Sequence, residues 1–118
     1  MVEAAYFAML ALILTHELDA MTRREWRLLP VWRNLSDETG RTVFVAAHVP
    51  LFFVLLVFGI GDPLTNAAWY LSAFAIIHVV MHWLLRNHPE NRFNTVGSWV
   101  LIGGAGVFGA LHILLLAV

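Results

Sequence analysis

VGSWVLIGGAGVFGALHILLLAV, residues Val96 to Val118, holds no aspartate, glutamate, lysine or arginine across its 23 positions. At about 1.5 Å per residue, a helix of that length covers the ~30 Å hydrocarbon core of a bilayer. Reading back from it, three more apolar blocks run over 64–85, 42–60 and 2–18, with short polar stretches between them. Of 118 residues 60% are apolar and 13% charged, more hydrocarbon than a water-soluble fold of this size can bury. The sequence predicts an all-α membrane protein: one domain over 1–118, with four transmembrane helices in an antiparallel bundle.

The block edges carry their own signals. The first block, at about 17 residues, is at the short end for a span. Glu3 stands where a secretory signal would be basic, and no small-residue cleavage pattern precedes His16-Glu17-Leu18-Asp19, so the block reads as a retained span. Ser36-Asp37-Glu38 suits the start of the second helix, Pro50 should kink it, and Gly61-Asp62-Pro63 should stop it. Arg86-Asn87-His88-Pro89 closes the third.

Arg23, Arg24, Arg27, Arg33 and Arg41 fall in the first connection and Arg86 and Arg92 in the third, whereas the second holds Asp62. By the positive-inside rule, connections one and three are cytoplasmic and both termini lie outside the cytoplasm. The stretch Met21 to Leu35 mixes arginines with Trp26, Leu28, Leu29 and Trp32. It reads as a short interfacial amphipathic segment after helix 1, or as a plain topology anchor.

Several function classes drop out. Without cysteine there are no disulfides, thiolate ligands or thiol nucleophiles. Topology accounts for every arginine and no phosphate-binding glycine loop is present, so no nucleic-acid partner is expected. In the fourth span Ala105 with Gly109, and Gly106 with Ala110, form small-xxx-small pairs that let backbones approach closely. The packing they serve lies within the bundle or between copies. Beyond membrane lipid, the expected partners are thus a second copy or a larger membrane complex docked on helix 4.

Six histidines in so short a chain are the chemical signal, because polar groups inside spans are costly and face a bundle interior or cavity. Measured from the nearest arginine along a helix, His16 and His48 lie about 10 Å in, His82 about 6 Å and His78 about 12 Å. His78 and His82, four apart, share a helix face, as do His16 and Asp19, three apart. The candidate ligand set is His16, Asp19, His48, His78 and His82, an all-nitrogen-and-oxygen set suited to zinc, iron or manganese. Glu17, about 100° around the helix from His16, is the candidate catalytic acid or base. The alternative is that these side chains simply hydrogen-bond across helices. His112 lies about 30 Å from Arg92 and suits an interfacial or inter-helix hydrogen bond, while His88 belongs to a polar turn.

Thr15-His16-Glu17-Leu18-Asp19-Ala20 leading to Glu25-Trp26-Arg27, with His78, His82 and Asn91-Arg92-Phe93-Asn94, resembles small uncharacterised bacterial multi-span membrane proteins of the HXXEE type. Asp19 and Ala20 stand where that motif has its two glutamates. The resemblance implies a histidine- and acid-lined site in a bacterial inner membrane and names no reaction.

Two functions compete at this point. One is a metal-dependent enzyme, with its site near the cytoplasmic face, acting on a lipid-like substrate. The other is a non-enzymatic accessory subunit of a larger membrane complex, holding a haem or chlorin through axial histidines, His48 with His82 or His16. Movement of protons or ions across the bundle is less supported, since the outer half offers His112 and Asp62 alone as relays.

Overall fold

Three of the four helices begin at a hydroxyl side chain that accepts a backbone N–H from three residues on. Ser36 takes that of Thr39, Thr65 that of Ala68 and Thr95 that of Ser98, each at 3.2 Å. Each cap satisfies one of the amides that a helix start leaves unpaired. The computed structural model describes residues 1–118, the side chain of Phe58 apart. Its helices are α1 (Val2–Arg23), α2 (Asp37–Val54), α3 (Asn66–Leu84) and α4 (Val96–Leu116), with no strand among the described residues. All four are long and apolar enough to cross a membrane.

α4 runs between α1 and α3 and antiparallel to both. Along α1 the partners ascend while those on α4 descend: Tyr6 with His112, Met9 with Gly109, Asp19 with Ser98. Along α3, Ser72 meets Gly109 and Val79 meets Gly106. The glycines are what let the backbones close. A Cβ on Gly109 would stand 2.9 Å from the carbonyl oxygen of Ser72, and one on Gly104 would stand 3.0 Å from Leu12. Gly104, Gly106 and Gly109 therefore pack within this chain, the close backbone approach that small residues allow.

α2 stands apart from this three-helix core. Its Pro50 brings no N–H to the carbonyl of Ala46 one turn back, and its last turn, Leu55–Gly59, is a π-helix. Tyr6 Oη donates to the Gly59 carbonyl at 2.8 Å, and His48 meets Glu17 at 2.8 Å.

The outer faces are apolar: Ile77, Val107 and Leu114 are each about two-thirds exposed, which water would not tolerate over so long a bundle. Trp69 and Tyr70 project near the Asp62 end of α3, and Trp83 near its arginine end, where Arg86 stacks 4.0 Å over its ring. Aromatic side chains thus mark both ends of α3, as at the two interfaces of a membrane-crossing helix.

The stretch Met21 to Leu35 is not an interfacial helix. One 3-10 turn over Glu25–Arg27 is followed by turns, and Trp26 and Leu28 are buried against Phe44 and Phe93 instead of lying on a surface. The cause is Arg24, which adopts the left-handed conformation (φ 58, ψ 49) and folds the chain back under the bundle. A non-glycine residue there costs about 1–2 kcal/mol. Asp37 holds the turn in place, each oxygen 2.6 Å from one arginine, Arg24 or Arg27. Gly40 makes room for the Trp26 indole, where any Cβ would collide.

Candidate metal centre

His16 projects from α1 toward α3, where His78 and His82 sit one turn apart on one face. The three rings pack edge on, with centroids 4.7–5.0 Å apart. The reversal at Arg24 carries Glu25 into the same space from below. His16 Nε2 lies 3.6 Å from Glu25 Oε2, His82 Nε2 lies 3.5 Å from Glu25 Oε1, and His82 Nε2 lies 3.2 Å from His78 Nε2. One ligand atom from each of the four lies within 4.8 Å of the others. Two ligands of one ion, at about 2.0–2.1 Å and tetrahedral angles, stand roughly 3.3 Å apart, close to the three separations of 3.2–3.6 Å here.

The centre is dry. His16 is 0% exposed, His82 2%, Glu25 5% and His78 9%. Phe93, from the connection between α3 and α4, closes it, with its ring 4.6 Å from His82 and 5.4 Å from His16. Asn91 aims that ring: its Oδ1 accepts the Phe93 N–H at 3.0 Å while its Nδ2 donates to the Arg86 carbonyl at 2.9 Å.

The polar accounting is incomplete in a telling way. Both nitrogens of His16 and Oε2 of Glu25 are buried without a hydrogen-bond partner, although each such group ordinarily costs about 1–3 kcal/mol. Burial works to raise the Glu25 carboxyl, but the facing imidazoles of His82, His16 and His78 outweigh it and hold the group below its usual range. A carboxylate aimed at three imidazole nitrogens is a cation's donor set.

The remaining candidates sit elsewhere. Asp19 is engaged at the end of α1, with Oδ1 3.1 Å from Arg23 and Oδ2 accepting from Ser98 at 2.6 Å. His48 and Glu17 pair with each other 2.8 Å apart, outside the four-residue cluster. His48 Nδ1 lies 2.6 Å from the Phe44 carbonyl, so it must donate there. A proton is then needed between His48 Nε2 and the Glu17 carboxylate, on one or the other. The pair lies beside the cluster and shares that proton.

His112 is buried at the far end, with Nε2 donating to the Pro63 carbonyl at 2.9 Å and Nδ1 accepting from Ser72 at 2.7 Å, an inter-helix tie. Glu25 and Phe93 were not candidates from spacing. The available signal was an acid among arginines, directly before Trp26.

A family model described as a family of unknown function (DUF6713) matches residues 2–118. This chain belongs to that family. The match carries no link to the HXXEE type. No curated protein and no solved structure gives a match.

Proposed function

We propose that this protein is a membrane-embedded metalloprotein in which His16, Glu25, His78 and His82 hold one divalent ion near the arginine-bearing end of the bundle. The observation that carries the reading is the set of orphaned buried atoms, His16 Nε2 and Glu25 Oε2, facing one another across ligand-ligand distance. A zinc, iron or manganese ion bound there supplies Lewis acidity, and one that prefers six ligands keeps positions open beyond these four. The chain's own part is to keep water out through Phe93, to hold Glu25 ionised, and to store a proton on Glu17 and His48 next to the centre. That combination suits a metal-dependent reaction on a lipid-like substrate, with Glu17 as its acid or base. The close edge-on packing of the three imidazoles favours a bare ion over a haem or chlorin, since it offers no slot for a macrocycle between them.

The arginine-bearing end faces the cytoplasm in this reading. A reporter fused after Asn91 should read cytoplasmic, and an outside reading would invert the bundle.

Chelation tests the metal itself. Stripping the protein with a strong chelator should lower its melting temperature in detergent, and adding back zinc, iron or manganese should restore it, because binding to the folded state alone stabilises that state. An unchanged melting temperature in both steps would refute the site.

A further inference from the structure

The helix seams of this bundle are not alike. α1 with α4, and α3 with α4, close on glycine, whereas α1 and α2 are held apart over most of their length. Two apolar cavities open along that gap, of about 240 Å³ and about 230 Å³, the larger also walled by Tyr70, Leu71 and Phe74 of α3. Leu10, Leu14 and Leu55 line both, so the cavities are neighbours along one slot. Each is several times the ~30 Å³ that a water occupies, and larger than the ~150 Å³ apolar cavity known to stay dry and take up benzene. A slot of this kind in a bilayer is filled by hydrocarbon.

Its polarity is graded along the helices. On α1 the walls pass from Leu10 and Leu14 to Glu17 and then to Met21. On α2 they pass from Leu55 and Leu51 to His48 and then to Thr42. The deep end is apolar, and Glu17 borders the larger cavity. Beyond the Glu17–His48 pair the seam opens into a cleft with Arg24, Asp37, Glu38 and Arg41 on its walls. The cleft holds two positive and two negative groups, so it selects no charged head. At the junction stand acceptors: the Glu17 carboxyl, and the Ala46 carbonyl that Pro50 leaves without its helix N–H. Ala46 itself borders the cleft.

We infer that the α1–α2 seam is a binding site for a single-chain lipid with a hydroxyl head, its chain in the cavities beside Leu14 and Leu55 and its hydroxyl donating to Glu17. A two-chain lipid is too wide for cavities of this volume, and a cleft with no net charge offers a carboxylate head no counter-charge. The assignment names a substrate class for the proposed site. It rests on the bundle lying in a bilayer and not on the bound ion.

The test uses the full chain in nanodiscs and a long-chain alcohol carrying a diazirine on its tail. After illumination, labelled residues are mapped by mass spectrometry, and metal content is measured on the same sample. Labels should concentrate on Leu14, Leu51 and Leu55 over the lipid-facing Val100 and Val107 of α4. Leu14→Trp, which fills the slot, should remove that enrichment, and Leu51→Phe serves if the first variant does not fold. The methyl ether of the same alcohol should compete about tenfold more weakly than the alcohol, as expected for one lost hydrogen bond. Equal labelling of α4 and the seam, undiminished labelling in a folded slot-filled variant, or equal competition by the ether would overturn the assignment. Absence of metal with seam labelling intact would sink the metal reading alone.

Discussion

Glu25 Oε2 stands 3.6 Å from His16 Nε2, and neither atom has a hydrogen-bond partner although both residues are buried. The two come together because the helix carrying His16 ends at a left-handed Arg24, which turns the next residue back under the helix. Everything proposed for the centre follows from that contact.

Removing a ligand should cost more than removing a neighbour. His16→Ala, His78→Ala, His82→Ala and Glu25→Gln should each weaken metal binding by more than the ~10–100-fold typical of an outer-shell partner. Asp19→Asn and His48→Gln, whose side chains bind Arg23, Ser98 and Glu17 instead, should change it by less than about tenfold. Competition against a chromophoric chelator measures both groups. A loss at His48 as large as at His82 would place His48 in the ligand set.

Height along the bundle was legible in the sequence, and angle around it was not. Residues 16, 48, 78 and 82 lie at similar depth by counting from the arginines, but depth alone does not say which helices face one another. His48 lies at that depth on α2, yet its ring is taken up by Glu17 and the Phe44 carbonyl. The α4 glycines were legible as packing residues because small side chains in a span have few other uses. Glu25 was hidden for a different reason. Reading Met21 to Leu35 as a regular amphipathic segment places Glu25 among solvated arginines, and no local propensity marks Arg24 for a positive φ. The pairing with Asp37 that fixes the turn is a tertiary contact.

Acid should release the ion through the histidines. Three of the four donors are imidazoles, which must be neutral to bind, so occupancy should fall as pH is lowered. Glu25 acts in another window. Its folded pKa is depressed, so its contribution is fully present above the ordinary carboxyl value of about 4.3 and is lost only as pH falls further, through the folded value. Metal retained per chain after equilibration at each pH gives the midpoint. Retention that does not fall with pH would take the imidazoles out of the set.

Packing at α4 has its own expectation. Gly109→Ala should lower stability by about 1–3 kcal/mol, since the new methyl meets the Ser72 carbonyl oxygen, a backbone atom that cannot rotate away. Gly103→Ala should be nearly neutral, because no heavy atom lies within 4 Å of its added Cβ. Thermal unfolding in detergent compares the two. Equal losses would mean that α4 packs on a different face.

Elemental analysis of the folded protein, purified from its membrane and titrated in turn with zinc, iron and manganese, tests the central claim most directly. The native protein should carry about one ion per chain, and the folded Glu25→Gln and His82→Ala variants should lose it. A well-folded native chain that carries no ion as purified and takes up none on titration would contradict it.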